Sequence, residues 1–262
     1  CTCDDRLFVG TNSGQIYVFR YKNDNNDYSD SFIIDGEPIS VSAGRFSGQR
    51  VVSQMVVVRE WGILLFLAGQ TLFYLDIQRM NDPKVEVPNS RGCTLFTWSP
   101  KRGKLFVAIK KKMMVMDWQG LGPGFESQTT TLHNLPDAPR MMQWCGANRI
   151  CFGFRQEYLL LDLLTSTFKE VLKVKSGTEP VCAINWGTSR ATLVLANGQQ
   201  GHVFSIHQKT GKISARTGNG GGAIAGGQIK KSSGAGGSSL FAWSEVPLAI
   251  EFCGPFLVTA LP

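Results

Sequence analysis

The sequence predicts an all-β protein, because short apolar runs follow one another along most of its length. These runs are rich in β-branched and aromatic residues, and each is bounded by Gly, Pro, Asn or Asp. No long stretch keeps the period of an amphipathic helix. The main predicted strands, in chain order, are 6–10, 15–19, 54–58, 63–69, 71–77, 104–109, 112–118, 149–154, 157–163, 181–186 and 191–196.

The predicted strands pair as hairpins that recur along the chain. A small residue ends the first strand of each hairpin, and the second strand ends eight or nine residues later. A strand containing tryptophan precedes three of the hairpins, at Trp98, Trp144 and Trp186. We expect these indoles to be buried at one equivalent place in each repeat. The small residues are Gly10, Ala68, Ala108, Gly153 and Ala196, and the second strands end at Phe19, Asp76, Asp117, Asp162 and Ser205.

After the first interval, the repeat length is 40 to 45 residues. Short antiparallel strands at this spacing are typical of the four-stranded, WD-repeat-like blades of a β-propeller. The segment 144–163 contains Cys145 and Cys151, which could suggest a reactive thiol. Its pattern instead predicts three neighbouring strands, so both cysteines are expected in blade packing.

We expect one propeller domain over residues 1–262, interrupted by two insertions. The first, 22–30, resembles a calcium loop in composition only, since it lacks the Gly and terminal Glu of an EF-hand loop. The second, 217–239, consists mainly of Gly, Ala, Ser and Lys. A tract of this composition cannot bury enough apolar surface to fold, so we expect a disordered loop.

Composition narrows the class of protein. The chain has 262 residues, 27 Lys plus Arg against 20 Asp plus Glu, and a net charge of +7. Because this excess of positive charge is small and spread along the chain, we expect no nucleic-acid partner. Seven scattered cysteines do not form a disulfide framework, which predicts a reduced, cytoplasmic setting.

Catalytic and cofactor motifs are missing from the sequence. A P-loop requires Gly-Lys-Ser/Thr, but Lys230 and Lys231 follow Ile229. The three histidines form no metal-binding motif, and no nucleophile elbow is present. We therefore expect no enzyme activity, no cofactor and no metal.

Two neighbouring turns carry basic clusters that are candidate contacts for a partner or an acidic membrane surface. Successive turns of an antiparallel meander lie at opposite ends of the strands, so the clusters should face opposite rims. The alternative is that both are ordinary solvated turns. The first cluster is Lys101, Arg102 and Lys104, and the second is Lys110, Lys111 and Lys112.

Several segments resemble the citron homology (CNH) domain, most specifically 144–158 and 243–262. The resemblance is strongest to the tethering subunits of the HOPS complex and of CORVET, where the counterpart is the TGF-β receptor-associated protein. Gly254 departs from the proline more usual before Pro255. The residues that match the family motif, with an expected structural role, are Trp144, Tyr158, Trp243, Pro247, Glu251 and Pro255.

The resemblance implies a seven-bladed propeller followed by an α-solenoid, and the length leaves room for about six blades at this spacing. We therefore expect this chain to be a fragment, with the remaining blade outside it. The implied function is a non-enzymatic module that docks a Rab GTPase or membrane, together with other HOPS or CORVET subunits. The implied setting is vesicle-mediated protein transport and autophagy, peripheral on endosomes, lysosomes or vacuoles. The alternative is the CNH domain of a Ste20-type kinase or a Rho exchange factor, which binds small GTPases.

Excising most of 217–239 should leave the protein folded and soluble. Loop length changes closure entropy by only about 0.6 kcal/mol per doubling, so the shortened loop should not destabilise the sheets it connects. Thermal unfolding of the excised and intact chains is the measurement. Loss of soluble protein would show that the tract packs against the fold.

Overall fold

The computed structural model describes residues 1–22, 31–41, 50–99, 103–118, 131–174, 177–215, 239–253 and 256–262. The chain divides into two compact units, Cys1–Asn134 (unit 1) and Leu135–Pro262 (unit 2). Within the described ranges, twenty-four strands and one 3₁₀ turn, Arg59–Trp61, account for the regular structure. The all-β prediction is confirmed. None of the described helical structure is long and apolar enough to cross a membrane.

Unit 1 contains three antiparallel sheets. Sheet 1 comprises β1 (Thr2–Cys3), β2 (Arg6–Gly10), β3 (Gln15–Lys22), β4 (Ser31–Ile34) and β5 (Ile39–Ser40), with β4 and β5 both along β3. Sheet 2 comprises β6 (Val52–Val58), β7 (Ile63–Ala68), β8 (Thr71–Asp76) and β9 (Val85–Glu86). Sheet 3 comprises β10 (Cys93–Ser99), β11 (Lys104–Ile109), β12 (Lys112–Asp117) and β13 (Thr131–Asn134).

Unit 2 contains the other three antiparallel sheets. Sheet 4 comprises β14 (Met141–Gly146), β15 (Arg149–Gly153), β16 (Glu157–Asp162) and β17 (Thr167–Lys173). Sheet 5 comprises β18 (Cys182–Trp186), β19 (Arg190–Asn197), β20 (Gln200–His207), β21 (Ile213–Ala215) and β22 (Ser239–Ala242). Sheet 6 comprises β23 (Ala249–Cys253) and β24 (Phe256–Ala260).

The central strands are apolar because both of their faces are covered. Every residue of β7 is buried. Successive side chains of a strand point to opposite faces, so β7 and β8 supply two separate cores. One core joins sheet 2 to sheet 1 and the other joins sheet 2 to sheet 3. The first contains Leu64, Phe66 and Phe73 with Phe8, Ile16 and Val18, and the second contains Leu65, Leu67 and Tyr74 with Phe96, Leu105 and Met116.

Sheet 5 repeats this arrangement in unit 2. Leu193 and Leu195 of β19 pack against sheet 4, in a core that includes Cys151 and Tyr158. Val194, between them in sequence, belongs to a core with Ile250 of sheet 6. A continuous apolar run therefore reflects burial on both faces of the strand.

The predicted insertions fall mostly outside the described residues. Lys22 ends β3, and 23–30 is not described. The segment 216–238 is not described either, but Ser239 begins β22 and pairs with Val203 of β20. Ser239 therefore belongs to the sheet and not to the loop that was predicted to include it. The strands on either side of the glycine-rich tract, β21 and β22, both pair with β20 and lie one after the other along the same edge of it.

The predicted equivalence of the tryptophans holds for two of the three. Trp98 lies three residues beyond the partner of Ala108, and Trp144 lies three residues beyond the partner of Gly153. Trp144 is 5% exposed, and Trp98 is half-buried against the core between sheets 2 and 3.

Trp186 departs from the predicted position. In sheet 5, Val181 lies opposite the small residue Ala196, since its carbonyl accepts the Ala196 amide. Trp186 lies five residues beyond Val181, whereas Trp98 and Trp144 lie three residues beyond the equivalent positions. Ile184 takes the place of the other two tryptophans and packs in the core. Trp186 therefore reaches the end of sheet 5 and is 45% exposed, so the prediction of its burial was wrong.

Tyr158 ties sheet 4 to sheet 5 through the backbone. Its hydroxyl accepts the Val181 amide at 2.9 Å and lies 2.7 Å from the Ala196 carbonyl oxygen and 3.1 Å from that of Val181. The ring is fully buried, and burial raises the pKa of Tyr158 well above its usual value. The phenol therefore stays protonated and can donate to these carbonyls. The assignment of Tyr158 to the family motif stays a prediction.

Replacing Trp144 with Ala should cost about 3 to 5 kcal/mol, since it removes a buried aromatic side chain and leaves a cavity. The same change at Trp186 should cost roughly 1 kcal/mol or less, since that side chain is half in water. Urea unfolding of both variants is the measurement. Equal losses would contradict the register assigned to β18.

Replacing Tyr158 with Phe should cost about 1 to 3 kcal/mol, because it leaves buried backbone groups without their hydroxyl partner. Tyr17→Phe is the matched control: the Tyr17 hydroxyl donates to Gln15 Oε1 at 3.0 Å in a partly exposed site. That change should be close to neutral. Urea midpoints for the two variants provide the comparison, and a fully stable Tyr158→Phe variant would remove this link from the structure.

Candidate partner-contact surface

The first predicted basic cluster is largely neutralised where the structure describes it. Lys101 and Arg102 lie outside the described residues. Lys104 pairs across the strands with Asp117, and its Nζ lies 2.7 Å from Asp117 Oδ1. A lysine held by a carboxylate presents little net charge to a partner.

The second predicted cluster forms the turn between β11 and β12. Lys110 adopts a left-handed backbone conformation with φ of 52°, and Ile109 and Lys112 close the hairpin. The side chains of Lys110, Lys111 and Lys112 are all exposed. Because Lys104 begins β11 and Lys110 follows its last residue, Lys104 and the Lys110 turn lie at opposite ends of this strand.

The Lys110 turn belongs to a larger set of turns in unit 1 that lie together, which we term the Lys110 end. The Val52 amide donates to Thr11, the Gly69 amide to Val51, and the Gly92 amide to Gln70. Gly92 in turn lies against Ile109, since a Cβ on this glycine would be 3.4 Å from the Ile109 Cγ2. These contacts connect the same end of sheets 1, 2 and 3.

The opposite end of unit 1, which we term the Trp61 end, is connected by other contacts. Arg6 Nη1 donates to the Ile77 carbonyl at 2.8 Å, which joins sheets 1 and 2. The Trp61 ring stacks on Trp118 at 4.9 Å between centroids and lies edge-on to Trp98 at 5.8 Å, which joins sheets 2 and 3.

Three cations at the Trp61 end, Arg20, Arg79 and Lys104, are paired with carboxylates. Arg6 and Arg59, at the same end, form no ion pair with a described residue. The Gln78 amide is the main group that lowers the pKa of Asp76, and the Arg79 guanidinium contributes. The further ion pairs at this end are Arg79–Asp82, Lys104–Asp117, Arg20–Asp5 and Arg20–Asp35.

The Lys110 end carries cations with much less compensation. The Arg91 side chain is paired with Glu86 at 2.9 Å. Arg50, Lys110 and Lys112 form no ion pair with any residue that the structure describes. Sequence reasoning did not single out Arg50, because it stands apart from any basic run or motif. The two ends of unit 1 therefore differ in exposed positive charge.

The remaining residues of the predicted family motif lie in unit 2. Trp243 donates from Nε1 to the Thr259 hydroxyl at 3.0 Å, which links the end of β22 to β24. Its ring lies edge-on to Phe241 at 4.8 Å. Pro247 is buried and Glu251 is exposed, whereas Pro255 lies outside the described residues.

The cysteines of the 144–163 segment are packing residues. Cys145 and Cys151 are fully buried, and Cys182 Sγ lies 3.2 Å from Met141 Sδ. A hydrogen bond with Cys145 and burial raise the pKa of Cys151 well above its usual value, and burial raises that of Cys182. Protonated, inaccessible thiols are poor nucleophiles, as the strand interpretation predicts.

Unit 1 has an open surface groove of about 360 Å³, lined by Cys1, Leu7–Gly10 and Val52–Met55. This lining offers no carboxylate, imidazole or basic side chain for acid–base chemistry. Within the described part of the chain, no group of three or more His, Cys, Asp or Glu side chains is placed to hold a metal ion.

The sequence is similar to a known domain family and to two proteins of other organisms. The CNH domain family model matches residues 3–206. Vacuolar sorting protein 39 of Arabidopsis thaliana is 26% identical over 168 residues, which are 63% of this chain and 16% of that protein. A GTPase-activating protein of Dictyostelium discoideum is 28% identical over 110 residues, 38% of this chain and 10% of that protein. The chain thus spans only a small part of either relative.

Solved structures resemble this chain in fold. The AfRom2 CNH domain matches with a TM-score of 0.57 at 13% identity, over 98% of this chain and 75% of that one. The WD40 domain of Neurospora crassa Pan2 matches with a TM-score of 0.52 at 11% identity, over 95% and 66%. These likenesses confirm the predicted β-propeller fold class with four-stranded, WD-repeat-like blades. The chain belongs to the CNH domain family.

Proposed function

We propose that this chain is a non-enzymatic docking module of an endosomal or vacuolar tethering subunit, and that it binds a Rab GTPase through the Lys110 end. Membership of the CNH family and a propeller fold indicate a protein-interaction module. The vacuolar sorting relative supports a role in vesicle-mediated transport. The full subunit would act beside other HOPS or CORVET subunits, peripherally on endosomes, lysosomes or vacuoles, and would carry an α-solenoid after the propeller.

The observation that carries the proposal is the unequal charge at the two ends of unit 1. Lys110 and Lys112 are exposed and form no ion pair with a described residue, whereas Lys104 is held by Asp117. Uncompensated exposed charge attracts an oppositely charged surface and accelerates encounter, while paired charge contributes little. We therefore assign docking to the Lys110 cluster and not to the Lys104 cluster.

A second candidate function is the regulatory CNH domain of a Ste20-type kinase or a Rho exchange factor. The Dictyostelium relative, which is named a GTPase-activating protein, favours an association with GTPases in that setting. In both candidate functions the domain binds a small GTPase. The first predicts a Rab GTPase, whereas the second predicts a small GTPase of another family, such as Rho. Binding of the chain to a panel of Rab and Rho-family GTPases in their GTP-bound form separates them.

Reversing Lys110 and Lys112 together to Glu should weaken binding to the GTP-bound Rab and to anionic vesicles. If each basic residue contributes about 1 kcal/mol, two reversals should cost at least about thirtyfold in affinity at low salt, and added salt should reduce the difference. Affinity measured by biolayer interferometry at two ionic strengths is the test.

The matched control is the double reversal of Lys169 and Lys173, which changes the charge equally on exposed positions of β17. It should bind as the unaltered chain does. Both double variants should keep the unfolding midpoint, since exposed charges contribute little to stability. Wild-type affinity of the Lys110/Lys112 variant for every Rab and vesicle tested would refute docking through this turn.

A further inference from the structure

Trp186 is fixed at one end of unit 2 with part of its indole ring in water. It ends β18 and is 45% exposed. Gly146, which has a φ of 76° at the end of β14, lies against this ring. A Cβ on Gly146 would be 2.9 Å from Trp186 Cζ3 and would also collide with Gln208 Oε1. The glycine therefore lets one edge of the indole pack against sheet 4 while the rest of the ring stays accessible.

A second exposed apolar side chain lies near the same turn of sheet 4. The Leu163 amide donates to the Asn148 carbonyl at 2.8 Å, which joins the turn after β16 to the turn between β14 and β15. Leu164, the next residue of the turn after β16, is 76% exposed. Trp186 therefore lies on one side of the β14–β15 turn, at Gly146, and Leu164 lies on the other.

Three exposed cations lie at this end of sheet 5. Arg190 begins β19, and Lys209 and Lys212 lie in the turn between β20 and β21. That turn approaches sheet 4, because a Cβ on Gly211 would collide with the Arg149 guanidinium. None of the three cations forms an ion pair with a residue in the described ranges.

The Asp162 carboxylate at this end is already bonded within sheet 4. Its Oδ2 accepts from Arg149 Nε at 3.0 Å and from Nη2 at 2.8 Å, and its Oδ1 accepts from the Leu164 amide at 3.0 Å. The three cations of sheet 5 therefore give this end of unit 2 a positive charge beside two exposed apolar side chains. We term the following residues the Trp186 surface: Leu164, Trp186, Arg190, Lys209 and Lys212.

We propose that the Trp186 surface binds the interface of a membrane that contains anionic lipids. Lysine and arginine are attracted to the negative surface potential of such a membrane, and tryptophan and leucine bury apolar area where headgroups meet acyl chains. Singly exposed apolar residues are common on protein surfaces, so the combination with three unpaired cations carries the inference. Leu164 protrudes from a turn, and a lipid layer can close around a protruding side chain without a preformed groove. The inference concerns unit 2 and lipid alone, so it does not depend on GTPase docking at the Lys110 end.

Phosphatidylcholine vesicles with and without phosphatidylserine are the probes, and binding is measured by flotation over a range of lipid concentrations. Trp186→Ala and Leu164→Ser should each weaken binding to the phosphatidylserine vesicles about tenfold, because each removes an apolar side chain that the bilayer would bury. Leu132→Ser is the matched control, since Leu132 is 52% exposed on β13 of unit 1. This control should bind as the unaltered chain does.

Neutralising cations tests the contribution of charge. Lys209→Gln combined with Lys212→Gln should weaken binding to the phosphatidylserine vesicles by up to about thirtyfold at low salt, and added salt should reduce the difference. Arg155→Gln combined with Lys173→Gln is the matched control and should leave binding unchanged. Both control positions are exposed at the opposite end of sheet 4, where Arg155 precedes β16 and Lys173 pairs with Glu157.

Tryptophan fluorescence reports whether Trp186 itself enters the bilayer. Lipids with brominated acyl chains quench a tryptophan that reaches the hydrocarbon region. The other tryptophans of the chain are buried or half-buried, so the quenching at saturating lipid should come from Trp186. It should disappear in Trp186→Phe, which keeps an apolar ring and should still bind. A purely structural role for Trp186 would not produce this signal.

Three results would each overturn the proposal. The first is equal binding to vesicles with and without phosphatidylserine, and the second is unchanged binding in the Trp186, Leu164 and Lys209/Lys212 variants, which would place lipid elsewhere on the chain. The third is quenching that persists in Trp186→Phe. Circular dichroism melting checks that each variant is folded, and if Trp186→Ala does not fold, Leu164→Ser decides, since its side chain is mostly in water. No GTPase is present, so failure of Rab docking and failure of lipid binding are separate results.

Discussion

The structure depends on the burial of both faces of its central strands. In sheet 2, alternate residues of β7 point to sheet 1 and to sheet 3, so Leu64 and Leu65 contribute to different cores. Removing a large apolar side chain from water contributes about 1.5 to 3 kcal/mol, and β7 alone supplies several. A sheet of this kind is stable only with a neighbour on each side, which explains why the sheets follow one another at short intervals along the chain.

This constraint is met unequally at the first and last sheets. The face of sheet 1 that carries Phe8 and Val18 packs on sheet 2, but its other face includes Val9, Phe32 and Ile34, which are 38%, 52% and 59% exposed. In sheet 6, Ile250 packs on sheet 5, whereas Phe256 and Val258 on the opposite face are more than half exposed. A further blade would cover exposed apolar faces of this kind, and the expectation of such a blade stays a prediction.

In the function that we propose, docking depends on surface charge rather than on the scaffold. The same four-stranded meander places Lys104 and the Lys110 turn at opposite ends of β11, yet Lys104 is paired with Asp117, whereas Lys110 and Lys112 form no ion pair with a described residue. In unit 2, Arg149 likewise pairs with Asp162 across β15 and β16 at 2.8 Å. Burial alone would raise the pKa of Asp162, but hydrogen bonds from Arg149 and from the Leu164 and Thr165 amides lower it. Such pairs stabilise the ends of hairpins, so an unpaired cation at an equivalent turn is available to a partner.

The sequence by itself determined the strands, the hairpins, the blade-like repeat and the CNH resemblance, because alternation, turn residues and repeat spacing are local properties of the chain. It also placed Cys151 and Trp144 in the core correctly. Only the tertiary structure decided that Trp186 lies two residues further along its strand than Trp98 and Trp144 do, since register depends on the pairing partner. Only the tertiary structure paired Lys104 with Asp117 and placed the Arg50 guanidinium over the Phe73 ring. Charge compensation depends on distances across strands and sheets, and no local pattern of residues encodes those distances.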